Sequence, residues 1–179
     1  MHRNDGPPRE VALPASVFAT LRRELTREVG AVATIHALHA AGYSAGSAAA
    51  PGFASAAGGG AAELATDVFW ARFTAFLARR GWGRLAHAPA HEAVGLLRSG
   101  DWVEADEERG AEGACSFPAG YLSGMLTGLA GGPVAVLETE CRGRGDERCT
   151  FAFGSEGAIH ELYGRLLEGA GLDGALAAL

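Results

Sequence analysis

Basic residues are in the minority in this chain of 179 residues, with Lys plus Arg at 15 against 21 Asp plus Glu, a net charge of −6 and a pI near 5.5. A chain without a basic face has little to gain from releasing counterions on phosphates, which argues against nucleic-acid binding. Long apolar runs are missing too: none reaches about 18 residues without Gly, polar or charged breaks, so no membrane span is expected. The opening MHRNDGPPREVALP has no apolar stretch of the secretory kind, and the expectation is a cytoplasmic protein. Aromatics are scarce at 8%, whereas Gly numbers 27 and Pro 7. The Gly and Ala are scattered among Leu, Val and Phe at regular spacing, which points to a compact domain with many tight turns rather than to disorder. No GxGxxG or Gly-Lys-Ser/Thr follows a strand, and the Gly58-Gly59-Gly60 run is not a phosphate loop. No Ser-His-Asp or Cys-His nucleophile arrangement is locatable, so the balance of the sequence is against an enzyme.

With 48% hydrophobic residues, the length suits one core. Residues 1–14, carrying Pro7, Pro8 and Pro14, read as a flexible arm, and 15–179 as a single domain. A first helix places Phe18, Leu21, Leu25 and Val29 on one stripe. A second runs from Ala31 to about Ala41 and closes at Gly42, and the small-residue stretch from Tyr43 to Gly60, with Pro51, reads as a flexible connection or lid. A third begins at Asp67 as N-cap and buries Phe69, Phe73, Phe76 and Leu77. Strands are expected at 83–90 and 94–105, with Ser99-Gly100-Asp101 as a hairpin turn. The charged segment Glu104 to Glu112 reads as a solvated loop. A short helix over 115–132, strands at 133–141 and 149–154, and an amphipathic helix over 156–169 complete an α+β plan with an antiparallel sheet.

All three cysteines, Cys115, Cys141 and Cys149, lie in the second half. An odd number in a chain without a leader argues against a disulfide framework. Cys141 and Cys149 flank the turn CRGRGDERC between two antiparallel strands, which brings their sulfurs together. Cys115 opens the preceding helix, and Glu138 lies three residues before Cys141. Three thiolates and a carboxylate make a tetrahedral donor set for zinc, with a residual charge near −2 that Arg142, Arg144 and Arg148 in the same turn would offset. The plainer reading is three buried cysteines of no special chemistry. Strict alternation puts Glu138 and Cys141 on opposite faces of a strand. A bulge at Thr139–Glu140 would reconcile them; otherwise Glu140 is the competing carboxylate.

The segment from Cys115 to Phe153 resembles the core of the 4-vinyl-reductase domain family. The shared features are a Cys, an apolar helix with glycines (YLSGMLTGL), a strand ending Glu138-Thr139-Glu140-Cys141, a Gly145-Asp146 turn, and Cys149-Thr150-Phe151. The opening LRRELTREVGAVATIHALHAAGYSAG and the helix FWARFTAFLARRGWG are similar to the family's first half, so the resemblance spans about residues 15–170. It implies a twisted antiparallel sheet flanked by helices, like that of trafficking-complex (TRAPP) subunits, and a homodimer through the N-terminal helices. It also implies a structural zinc on Cys115, Glu138, Cys141 and Cys149 beside an apolar pocket, as in the sensory domains of phenol- and xylene-responsive activators.

The expected function is therefore a standalone binding module, a sensor or carrier for a small hydrophobic or aromatic ligand that signals through a downstream protein partner. The candidate pocket residues are Phe69, Trp70 and Phe73 on the third helix, Trp82 and Trp102 on strands, and Phe117 and Tyr121 beside Cys115. Two alternatives stand beside it: a part in tetrapyrrole vinyl reduction, which the absence of a recognisable redox-cofactor motif disfavours, and a ligand-free interaction scaffold. His36 and His39 share a helix face and are expected to be partly exposed or dimer-facing. His87 and His91, around Pro89, are expected to meet solvent, with a ligand hydroxyl as a further use.

Overall fold

The computed structural model describes residues 10–58, 63–106 and 115–179. Three helices come first: α1 (Ser16–Val29), α2 (Ala31–Ala56) and α3 (Thr66–Ala78). Strands β1 (Ala86–Pro89) and β2 (Val94–Ser99) follow, then α4 (Ser116–Ala130), β3 (Ala135–Glu140), β4 (Cys149–Gly154), α5 (Glu156–Leu167) and α6 (Leu172–Ala177). The four strands form one antiparallel sheet in the order β1-β2-β4-β3.

Both faces of the sheet are covered, and residue alternation along β2 and β4 sorts the two cores. Leu97 and Phe151 point to the side where α2, α3 and α4 pack, with Phe53, Phe73, Phe76, Trp102, Leu122 and Met125. Val94, Leu96 and Ala152 point to the other side, under Ile159 and Leu162 of α5 and Ala175 and Leu176 of α6. Helix α5 is capped by Ser155, whose hydroxyl accepts from the Ala158 N–H at 3.3 Å. The helix α6 has no counterpart in the sequence expectation, which ended at residue 169.

The largest departure from expectation is α2. It does not close at Gly42 but runs on through Pro51 to Ala56, so the expected lid from Tyr43 is helix. Residues 59 and 60 of that stretch lie outside the described residues. The small residues are there for contact: a Cβ added at Gly42 or Gly46 would overlap the carbonyl groups of Phe117 and Tyr121 on α4. Reciprocally, a Cβ at Gly120 or Gly124 would overlap those of His39 and Tyr43 on α2. Four glycines thus let two backbones approach closely, and the Ser47 hydroxyl reaches the Gly124 carbonyl at 3.5 Å. Tertiary packing outweighs the low helix propensity of Gly, about 1 kcal/mol per residue.

The hairpin also sits elsewhere than expected. β1 turns into β2 through residues 90–93, with Pro89 opposite Gly95, while Ser99 pairs with Cys149. The Ser99-Gly100-Asp101 turn instead leads away from the sheet: Asp101 accepts from the backbone N–H and Nε of Arg84, both at 2.8 Å. Trp82 and Trp102 are accordingly in turns rather than on strands. Asp67 lies in the first turn of α3 and does not cap it; Ala65 holds that position without a side-chain bond. The arm expected over 1–14 falls outside the described residues up to residue 9, and Glu10 pairs with Arg80 at 3.1 Å.

Candidate metal centre and adjoining cleft

Ladder register decides which carboxylate meets the cysteines. Glu138 pairs with Phe151, but Glu140 pairs with Thr150, so Thr139 is an extra residue in β3. This bulge puts Glu138 and Cys141 on the same face as Cys149 and Phe151. Glu140 turns to the opposite face, where its carboxylate accepts from the Thr150 hydroxyl. Thr139 fastens the bulge by donating to the Thr150 carbonyl at 3.2 Å.

The turn beyond β3 is shaped to present Cys141. Its N–H donates to Asp146 Oδ2 at 2.7 Å, and its carbonyl accepts from the N–H groups of Arg144 and Asp146. Gly145 takes φ +105°, a conformation that L side chains rarely adopt, which is why Gly precedes Asp here. Cys115 stands at the N-cap position of α4, the helix that the glycines of α2 hold in place.

The ligand atoms of Cys115, Glu138, Cys141 and Cys149 all lie within 4.8 Å of one another, and the three cysteines are buried. Cys115 and Cys141 sulfurs are 3.8 Å apart, too far for a disulfide. That spacing is the edge of a tetrahedron with metal–sulfur bonds of about 2.3 Å. Glu138 Oε2 faces Arg144 at 3.6 Å, whereas its Oε1 is buried with no hydrogen-bond partner. One oxygen is thus held and the other is left as a donor. By atom type, spacing and this orphaned oxygen, the group fits a divalent metal ion.

Without a metal the charges are unevenly distributed. Hydrogen bonds with Cys141 and Cys149, then burial, hold the Cys115 thiol up, while hydrogen bonds from Cys115 and Cys141 and from the Arg142 N–H draw Cys149 down. Burial, then the charge on Cys141, pushes the Glu138 carboxyl up to about 8. Of the three arginines, Arg144 faces Glu138, the Arg142 backbone serves Cys149, and Arg148 pairs instead with Glu147 at 3.5 Å.

Beside the group opens a cleft of about 440 Å³, lined by Ile35, His36 and His39 of α2, Cys115, Ser116 and Ala119 at the start of α4, and Val136, Leu137 and Glu138 of β3. His36 is exposed and His39 half-buried, and burial together with His36 holds His39 below the ordinary imidazole value. The apolar members of this lining were not singled out in the sequence, because nothing in their spacing separates a cleft wall from ordinary core.

The seven aromatics named as pocket candidates pack against one another. Phe69, Trp70 and Phe73 form one group with Phe53, and Trp82, Trp102, Phe117 and Tyr121 another with Phe18. His87 does not simply face solvent: its ring stacks on Trp70 at 4.2 Å. His91 stays in the hairpin turn, its Nδ1 accepting from the Ala93 N–H.

Sequence reasoning missed a buried ion pair. Glu104, expected in a solvated loop, is 3% exposed and faces Arg22 of α1 at 3.6 Å. Burial raises its carboxyl to about 9 against the pull of Arg22, and Glu138 and Cys141 add to the rise. A lone Glu after a buried Trp carries no signal of this, since its partner is some eighty positions away in the sequence. The rest of the run, from residue 107, lies outside the described residues.

Among the described residues no helix is long and apolar enough to cross a membrane. No curated protein matches the sequence. Among solved structures the chain is similar to the phenol-responsive sensory domain of the transcription activator PoxR with phenol. That match has 18% identity and a TM-score of 0.67, covering 83% of this chain and 77% of that one. It is also similar to a trafficking protein particle complex subunit 3 from Naegleria fowleri covalently bound to palmitic acid. Here identity is 14% and the TM-score 0.61, with coverage of 78% of this chain and 91% of that one. These likenesses agree in fold with the α+β arrangement of an antiparallel sheet flanked by helices. The resemblance to the 4-vinyl-reductase family rests further on residues 101–155, which match the model of the vinyl-4-reductase (V-4-R) domain and include all four members of the Cys/Glu group.

Proposed function

We propose that this chain is a small-molecule-binding domain, a sensor or carrier of the cytoplasm, built around a structural zinc on Cys115, Glu138, Cys141 and Cys149. The observation that carries the reading is the Cys/Glu group itself, four donors within 4.8 Å of one another, set in the wall of an open cleft. Soft thiolates select zinc over magnesium or calcium, and four protein donors leave no coordination position for a reacting water. The metal's work is then to tie β3, the turn beyond it, β4 and the start of α4 into one wall. Reduced thiols suit a reducing compartment.

The ligand we assign to the cleft is a small apolar molecule with one hydrogen-bonding group. Ile35, Ala119, Val136 and Leu137 supply an apolar surface, and His36, His39 and Ser116 supply polar anchors. The likeness to a sensory domain solved with phenol makes simple phenols the first probe. Covalent acylation, as in the palmitate-bound subunit, is disfavoured because all three cysteines are in the Cys/Glu group. A scaffold without a ligand is favoured by one observation, the mutual packing of the seven aromatics, which would leave no room among themselves.

The test is elemental analysis of protein purified without added metal, followed by titration with phenol read by tryptophan fluorescence. About one zinc per chain is expected, lost in Glu138→Gln and kept in Glu140→Gln. Zinc retained in Glu138→Gln would remove that residue from the ligand set. Absence of zinc with three titratable thiols, and no response to phenol, would bring the scaffold reading forward.

A further inference from the structure

Of the four candidate ligands, two have no visible access to solvent: Cys141 and Cys149 are both 0% exposed within the core. The other two, Cys115 and Glu138, form the inner wall of the cleft, and His36 and His39 line the same cleft from α2. The two histidines are three positions apart, so they stand on one helix face about one turn from each other. Glu138 Oε1, buried and without a hydrogen-bond partner, is the acceptor at the inner end. A donor pair thus sits at the outside, an unpartnered oxygen at the inside, and the open cleft between.

We propose that the cleft is the route by which the metal reaches and leaves the Cys/Glu group, and that His36 and His39 form a transient docking site for the incoming divalent ion. This inference rests on the proposed zinc centre. Imidazole nitrogen binds zinc readily, but two imidazoles hold it far more weakly than three thiolates and a carboxylate do. The histidines therefore capture the ion from solvent and release it inward across the Cys115–Glu138 edge, without competing at equilibrium. They change the rates of loading and loss and leave the final affinity alone. A small molecule seated in the cleft would lie across this route, so its presence slows metal exchange.

The experiment follows zinc transfer to a chromophoric chelator, and reloading of the stripped protein with zinc alone, in three forms of the full chain. These are the wild type, His36→Ala/His39→Ala, and His160→Ala, which removes an exposed histidine on α5. The double variant is expected to retain about one zinc and the wild-type melting temperature, while both rates fall at least about tenfold, the low end of what a lost supporting group costs a metal site. His160→Ala should keep the wild-type rates. Filling the cleft by Ile35→Trp should slow both rates with the histidines intact. Unchanged rates in a zinc-loaded double variant would overturn the docking role, and unchanged rates in Ile35→Trp would overturn the route. A wild type that holds no zinc and takes none up is a different result: it removes the metal centre itself, and this inference with it.

Discussion

Glu104 sits with its carboxylate between one favourable charge and two unfavourable ones. Arg22 lies 3.6 Å away, Glu138 and Cys141 add repulsion, and neither carboxylate oxygen makes a hydrogen bond. Its folded-state value of about 9 stands above the ordinary 4.5, so the folded chain holds a proton that the unfolded chain has released. The sign follows: stability is greatest below about 4.5 and is lost as pH rises toward about 9, where both states are ionised. Glu104→Gln keeps the shape and removes the titration. Its melting temperature relative to wild type in the same buffers should therefore climb from pH 5 to pH 9. Parallel curves across that range would show that Glu104 is already ionised in the fold. The adjacent Trp102, 0% exposed with an unpartnered indole N–H, makes the surroundings of this carboxylate drier still.

At the scale of elements, α2 against α4 is the contact on which the site depends, because α4 delivers Cys115 and α2 delivers both cleft histidines. Gly46 is closed in by the Tyr121 carbonyl, whereas a Cβ at Gly52 on the same helix would meet nothing within 4 Å. Gly46→Leu should thus cost about 1–3 kcal/mol or more through overpacking. Gly52→Ala should be neutral or stabilise by about 0.5–1 kcal/mol. Urea midpoints of the two variants test the contrast, and equal midpoints would refute the close approach. The same helix shows what the sequence could and could not convey. Periodic apolar residues marked α1, α3 and α5, and the motif from Glu138 to Cys149 marked the Cys/Glu group down to the bulge that chooses Glu138 over Glu140. The small residues of α2, each of them a breaker on its own, gave no such mark. Only facing glycines on a second helix turn them into a packing surface, and that partner is far away in sequence. The Arg22–Glu104 pair was hidden for the same reason, as was the cleft, whose lining comes from α2, α4 and β3 together.

Seen across the molecule, apolar exposure is concentrated at one end of the chain. Val11, Leu13, Leu21, Val29 and Val32 are 45% to 78% exposed, all within or beside α1 and the start of α2. The stripe expected on α1 is in fact divided. Phe18 turns inward onto Phe117 and Trp82, with ring centroids 4.9 and 5.8 Å apart, while Leu21 and Val29 face out. Helix α1 is anchored from beneath by Arg22, itself 5% exposed, so the outward residues stand on a fixed surface rather than a loose segment. A cluster of large apolar side chains on a fixed helix pair is unusual for a monomer and is what a self-complementary interface needs. The homodimer implied by the family resemblance would bury this face by pairing α1 and α2 with their copies. Light scattering should then give a mass near twice 18.3 kDa for the wild type. Leu21→Glu/Val32→Glu should give a monomer that still binds its metal, because both positions are remote in sequence and fold role from the Cys/Glu group. A wild type that stays monomeric at high concentration would refute the dimer, and a double variant that stays dimeric would place the interface on another face.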